Sequence, residues 1–437
     1  MLGLYAYVFQ DHGALTLKKY TLFNTLLTLR GNPRGCVYTE PLWGIPFNLY
    51  APYISIYMVA LGLSDKQIGL VASIGAAFQV IFALSSGVIT DKLGRRLTTL
   101  IFDIISWSVP ALISAIAMNF WYFAIAAAIN SVWRVTQNSW NCLLVEDAEK
   151  HQLNDIFSWI YIANLVVGFA APLAKPLIVA FNLIPTVRGL YLFAAVMFTV
   201  KAIATYRMTE ETGQGKVRMH QTSQQSMLAV LGEYRHVLQD VLRSPQTLYL
   251  AGIMLVLGIT TLVSGNFWAI LVTEKLHLPN QDLALFPFVR SSAMLLAFFL
   301  VTPFIGTLHF KIPYIAGFAS LIASQVMLVT APQQNYWVLG LSVFLEAGGL
   351  AIVNPLTDRM GVLIIDPKER ARIQSILFVG IILLTSPFGL IAGNLSALNK
   401  DLPFLMDIAL FAVGVLLAYL AGRASDKAQA ASEEASA

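Results

Sequence analysis

Two ionisable residues lie deep inside long apolar runs of this chain: Arg134 in the run 120–145 and Glu346 in the run 335–357. A charge at that depth in an apolar, membrane-length segment costs several kcal/mol unless it is paired or wetted, so each is a candidate for ion or solute chemistry. Asn130, Arg134 and Gln137 are spaced i, i+4, i+7 and so share one face of a helix, with Trp133 and Trp140 beside them as stacking surfaces. A guanidinium on such a face can hold an anion or form a structural ion pair with a carboxylate. Glu346 can bind and release a proton, because poor solvation disfavours the charged form of a carboxyl. A hydrogen-bonded packing role is the other reading. Glu346 is the proton-site candidate by elimination: His12, His151, His220, His236, His277 and His309 all fall outside or at the edge of the apolar runs.

Lesser candidates surround these two. Lys175 and Arg290 sit nearer the ends of their runs, where snorkelling to the surface explains them and an anion-attracting vestibule is the alternative. Asp103 lies about two turns into its run and is expected to join the basic cluster of the preceding loop, while Asp407 lies within the last run. The first run supplies Asn48, Tyr50, Tyr53 and Tyr57, preceded by Glu40. The seventh supplies Thr260, Thr261, Ser264, Asn266 and Trp268. These mixed polar and aromatic sets suit a cavity that hydrogen-bonds a modest polar solute, and suit helix packing equally well.

The elements that must position these residues follow from composition. Of 437 residues 57% are hydrophobic and 12% charged, and the mean hydropathy is +0.69. That excludes a soluble domain and a disordered chain. Apolar runs of spanning length recur at 42–62, 67–90, 97–118, 120–145, 153–181 and 187–206, and again at 247–273, 283–305, 312–331, 335–357, 371–398 and 402–422. A backbone in lipid satisfies its own hydrogen bonds, and these runs do not alternate as barrel strands would. The sequence predicts an all-α integral membrane protein with twelve transmembrane helices in two pseudo-symmetric six-helix halves. The halves are 39–207 and 247–422, with a cytoplasmic N-terminal segment 1–38, a cytoplasmic central loop 208–246 carrying a surface helix around 228–242, and a disordered tail 423–437. With both termini inside, 21 Lys and Arg fall on the cytoplasmic side and 4 outside, an imbalance that fixes the expected orientation. Cys36 and Cys142 are too few for a disulfide framework or a zinc site. There is no cleavable signal pattern, no phosphate-binding G-x-x-x-x-G-K-[ST] loop, and no basic tract suited to nucleic acid.

The loop between the second and third runs reads Gly87-Val-Ile-Thr-Asp91-Lys92-Leu-Gly94-Arg95-Arg96. Gly94 suits a tight turn and Gly87 close helix packing. Asp91 and Arg95 are four apart and can pair if the helical turn continues, and Glu146 is a further partner for Arg95. This segment resembles the signature G-x-x-x-D-[RK]-x-G-R-[RK] of the major facilitator superfamily, at every specified position and in the loop where that family carries it. The resemblance implies a secondary transporter working by alternating access, in which Asp91, Arg95 and Glu146 act as gate residues that latch the two halves, and in which the helices bearing Arg134 and Glu346 line one central pathway. A decayed second copy at Gly306-Thr-Leu-His-Phe-Lys311 sits at an offset shared by Asp147 and Asp366, as a two-half repeat requires. Arg134 and Gln137 also resemble part of the R-x-x-Q-G pattern linked to proton coupling, with Asn138 in place of Gly. The antiporter pattern G-x-x-x-G-P-x-x-G-G survives here only as Pro172. The expected function is proton-coupled movement of a small polar or anionic solute through a monomer in a bacterial plasma membrane, without a cofactor, with drug–proton antiport as the alternative. A membrane enzyme would need clustered His, Asp or Glu at the lipid boundary, and the histidines are scattered.

Overall fold

The computed structural model describes residues 21–149, 152–222, 244–300, 311–364 and 370–436. The expected surface helix at 228–242, the leader residues Lys18 and Lys19, and Gly306 and Asp366 of the second repeat lie outside them. Every regular element among the described residues is a helix. A short α1 (Thr21–Thr28) precedes α2 (Gly31–Tyr50), a tighter turn (Ala51–Tyr53) and α3 (Ile54–Ala60). The first long helix therefore begins well before the expected start at 42. Then come α4 (Asp65–Leu93), α5 (Arg95–Asp103), α6 (Val109–Ala115), α7 (Phe120–Asn130), α8 (Trp133–Val145), α9 (Leu153–Val166), α10 (Ala174–Phe181), α11 (Leu183–Met208) and α12 (Gly213–Thr222). The second series is α13 (Pro245–Ile270), α14 (Leu285–Leu300), α15 (Lys311–Thr330), α16 (Tyr336–Ile364), α17 (Arg370–Leu398) and α18 (Leu402–Ser436). The tail expected to be disordered is helical as far as Ser436. Its alanines, Ala424, Ala428, Ala430, Ala431 and Ala435, are the strongest helix formers and extend α18.

Ten helical stretches among the described residues are long and apolar enough to cross a membrane. Local chemistry sets their limits. Ser64 and Gln67 form a reciprocal cap at the start of α4, the Asn119 side chain accepts from the Trp121 N–H at α7, and Ser244 accepts from the Thr247 N–H at α13. The α4–α5 corner is made by Gly94 at φ +82, where any side chain would be strained and a Cβ would stand 2.5 Å from Glu211 Oε2. We call this side of the bundle the motif end, and the side carrying the α3–α4 and α17–α18 turns the far end.

Between the two series, α4 packs along α17, α14 packs against the turn between α9 and α10, and α3 packs on α13. The α4–α17 crossing is close because it is made of glycine: a Cβ on Gly69 would stand 2.2 Å from the Gly389 carbonyl oxygen and 2.9 Å from the Gly393 Cα. In lipid, where apolar side chains gain little by leaving the solvent, such small-residue contact is what joins helices. The apolar clusters are distributed unequally. The largest, at the far end, takes residues from both series, among them Tyr53, Tyr57, Ile68 and Tyr191 with Val263, Phe267, Leu283 and Phe404. Toward the motif end there are two clusters instead. One, around Phe318, Leu356 and Phe411, belongs wholly to the second series, and the other, around Cys36, Leu143 and Ile156, wholly to the first.

Candidate functional site

Arg134 opens α8 just after the chain is interrupted at 131–132. Its Nε donates to Gln79 Oε1 of α4 at 3.0 Å and its Nη1 to Gln137 Oε1 at 3.0 Å. The guanidinium carbon lies 4.0 Å from the Trp133 ring centroid and 5.0 Å from that of Phe378 on α17. Both acceptors are neutral amides, and among the described residues no carboxylate pairs with Arg134. The shared helical face is half realised: Gln137 joins Arg134, whereas Asn130 donates to the Ser106 carbonyl at 2.7 Å. Trp140 packs into the first-series cluster instead of flanking the guanidinium. Gln79 was not singled out from the sequence, although a lone amide between Phe78 and Phe82 in an apolar run is a visible signal. Phe378 carried none.

Glu346 is buried on α16 and accepts from Arg290 Nη2 of α14 at 2.6 Å. Arg290 therefore does not snorkel: at the depth of Glu346 a carboxylate is a better partner than a distant surface. Lys175 likewise pairs with Asp282 at 2.7 Å. Asp103 does not join the motif cluster but meets Lys201 of α11 at 2.7 Å, with both side chains buried. Lys201 was expected on the cytoplasmic surface, and its place inside the bundle follows from Asp103 and from buried Glu40, whose charge also acts on it. Members of the polar sets of the first and seventh runs bond within the bundle in this conformation. Asn48 and Asn266 each donate to a carbonyl one turn back in their own helix, Gly44 at 2.8 Å and Leu262 at 2.7 Å. Tyr53 is fully buried with its hydroxyl 3.5 Å from the Gln281 carbonyl, and Trp268 meets Phe286 edge-on.

The motif forms a compact charge cluster. Arg95 Nη1 lies 3.0 Å from Asp91 Oδ1, and its Nε is 3.1 Å from Glu146 Oε2, so both predicted pairings are present. Glu211, which the sequence reading missed, accepts from the backbone N–H groups of Arg95 and Arg96, each at 3.0 Å, and so caps α5. Thr212 donates to Glu146. Arg96 donates to the Tyr206 carbonyl at 2.7 Å and stacks 3.9 Å from the Tyr206 ring. Lys92 is exposed. Gly87 differs from expectation: among the described residues a Cβ there would meet nothing within 4 Å, so none of the described helices packs closely on it in this conformation.

A second set of charges ties the two series at the far end. Lys400 Nζ lies 2.6 Å from Asp65 Oδ2 and 2.7 Å from Glu274 Oε2. Ser396 donates to the same Asp65 carboxylate, and Tyr336 donates to Asp282, the partner of Lys175. Partial burial opposes the charge on Lys400, yet the hydrogen bonds it donates to Asp65 and Glu274 and their negative charges hold its ammonium above the ordinary lysine range.

The profile of the Major Facilitator Superfamily matches residues 43–357. The chain belongs to that superfamily and is a multi-pass membrane secondary transporter, not an enzyme. Solved structures share the fold at low identity. The nucleoside transporter NupG matches at a TM-score of 0.68 with 14% identity, covering 89% of this chain and 98% of that one. A POT family transporter in complex with 5-aminolevulinic acid gives 0.67 with 13% identity over 91% and 98%. The human organic anion transporter MFSD10 gives 0.56 with 15% identity over 91% and 97%. No curated protein matches the chain by sequence.

Proposed function

We propose that the chain is a proton-coupled transporter of a small anionic solute, working as a monomer in the plasma membrane by alternating access. The observation that carries this reading is Arg134: a positive charge inside the membrane, bracketed by Trp133 and Phe378 and held, among the described residues, only by the neutral amides of Gln79 and Gln137. An unpaired intramembrane charge is expensive, and an anionic solute is the partner that would relieve it. The ten stretches of spanning length, taken with α2–α3 and α7–α8 as two further crossings, support an arrangement of twelve crossings in two six-helix halves. The excess of Lys and Arg on the motif side supports a cytoplasmic motif end and cytoplasmic termini. On that orientation the conformation is closed to the outside. The mixed apolar cluster, the glycine crossing and the Asp65–Lys400–Glu274 ties all lie on the outer side, and the motif cluster, with Gly87 unpacked, is the gate that would latch the halves in the opposite state. Glu346 with Arg290 is the coupling pair.

A thermal-shift screen of the purified protein against organic acids, amino acids, sugars and cationic dyes tests the solute class. The strongest stabiliser is then followed into proteoliposomes with and without an inward proton gradient. Stabilisation by acids and gradient-driven accumulation support the reading. Stabilisation by cationic dyes alone, with proton-driven extrusion, overturns it in favour of drug–proton antiport.

A further inference from the structure

A guanidinium has N–H donors and no acceptor, so a glutamine can meet it only with its amide oxygen. Gln79 and Gln137 both do so, each 3.0 Å from a nitrogen of Arg134. That contact fixes how each amide is turned: the oxygen is taken by Arg134 and the NH2 group is left over. Among the described residues neither NH2 group, nor Arg134 Nη2, has a hydrogen-bond partner, and none of the three is sealed from accessible surface. The neighbouring amides are already used, Asn130 donating to the Ser106 carbonyl at 2.7 Å and Asn138 to Thr90 Oγ1 at 3.2 Å. The charge is left over in the same way. Lys201 and Arg290 have carboxylates at 2.7 and 2.6 Å, whereas Arg134 has none among the described residues. Asp358 and Asp407, which hold buried carboxyl oxygens without partners, lie on α16 and α18, and these are not among the helices packed on α4 or α8.

We propose that Gln79 and Gln137 are specificity residues of the solute site and that the solute is a monocarboxylate. The two NH2 groups and Arg134 Nη2 make a surface of donors around one positive charge. A carboxylate is its complement: it only accepts hydrogen bonds, it is planar like the guanidinium, and it carries one negative charge. A phosphate monoester carries about −1.5 to −2 charges at pH 7 and would leave negative charge uncompensated at membrane depth. A primary amide or an ammonium would bring N–H groups against N–H groups. Trp133 at 4.0 Å and Phe378 at 5.0 Å from the guanidinium carbon give the carbon body of the solute an apolar wall, one ring from each series. The inference rests on the anionic-solute reading above and narrows it to a class.

The test reads concentration-dependent thermal shifts of the full-length protein in phosphatidylcholine nanodiscs at neutral pH. The probes are acetate, benzoate, benzamide and phenyl phosphate, the last three carrying different groups on one ring. The carboxylates are expected to stabilise the protein, with benzamide and phenyl phosphate binding about tenfold more weakly than benzoate. Gln79→Met and Gln137→Met keep the length of the side chain and lose its donors, and each should weaken benzoate about tenfold. Gln79→Glu supplies Arg134 with a carboxylate of its own, so the unfolding temperature without any probe should rise while the benzoate response is lost. Benzoate affinity unchanged in both methionine variants overturns the role of the glutamines, as does a benzoate response that survives Gln79→Glu. Phenyl phosphate binding as tightly as benzoate overturns the monocarboxylate class and leaves the anionic-solute reading standing. A protein stabilised by neither acetate nor benzoate overturns this inference alone if other organic acids stabilise it, and overturns the anionic-solute reading as well if none does.

Discussion

Arg134 is bound by geometry as much as by charge. Its guanidinium carbon sits over the Trp133 ring while its Nε and Nη1 donate to Gln79 and Gln137. A flat, delocalised cation satisfies all three contacts and a lysine ammonium does not. Arg134→Lys is therefore expected to weaken the apparent affinity for the stabilising acid about tenfold. Arg134→Ala, which also removes a charge-assisted contact of about 1.5–3 kcal/mol, should weaken it by ten- to a hundredfold. Concentration-dependent thermal shifts measure both, and an affinity unchanged in Arg134→Ala would remove the residue from the solute site. Arg134 and Glu346 were legible in the sequence because a charge in an apolar run announces itself. Their partners were not. Whether Arg290 meets Glu346 or the surface, and whether Lys201 meets Asp103 or water, depends on helix rotations that no single run encodes. The asparagines of the first and seventh runs show the same limit from the other side, because a side chain bonded to its own helix and one facing a solute look alike in sequence.

Helix boundaries depend on chemistry that the apolar pattern only partly records. The corner at Gly94 was readable from the glycine itself, whereas its completion by Glu211 required folding residues 95 and 211 together. That carboxylate supplies both acceptors at the start of α5, and losing a cap costs about 1 kcal/mol. Glu211→Ala should lower the thermal unfolding temperature by a few degrees, with Glu211→Gln falling between it and the wild type. An unchanged midpoint in both would show that α5 is capped by something else. The tail was misread for the converse reason: its small polar residues suggested coil, and its alanines carry α18 through to Ser436. Close approach leaves a fainter trace still. Gly69 and Gly389 are two glycines among 29, yet a Cβ on Gly69 would collide with backbone that cannot yield. Gly69→Val is therefore expected to separate α4 from α17 at the far end. Disulfide trapping between cysteines placed at Ser73 and Leu390, whose hydroxyl and N–H now meet at 2.8 Å, should then fail where the parent protein cross-links.

On the scale of the whole molecule, two sets of charges oppose each other across the membrane, and the equilibrium between conformations reflects their difference. At the motif end Asp91, Arg95, Glu146 and Glu211 are joined to one another within the first series. At the far end Lys400 joins Asp65 of the first series to Glu274 of the second, and Lys175 joins Asp282. Partly exposed pairs are worth about 0.2–1 kcal/mol each, so the Lys400 pairs together bias the closed far end by roughly 1 kcal/mol, enough to change a population several-fold. The raised proton affinity of Lys400 fixes the sign of its pH dependence. Its contribution is complete below the ordinary lysine value of about 10.4 and is lost only as pH rises through the still higher bound value. Between pH 6 and 9 Lys400 alone should therefore leave the latch intact, and a substitution is needed to release it. In Lys400→Gln, a cysteine introduced at Gln281, beside buried Tyr53, should react several-fold faster with a membrane-impermeant thiol reagent added on the far-end side. Adding 1 M salt to the parent protein should move the rate in the same direction by screening the pairs. Equal labelling rates in Lys400→Gln and the parent would show that the glycine crossing and the shared apolar cluster hold the far end shut without help from the ion pairs.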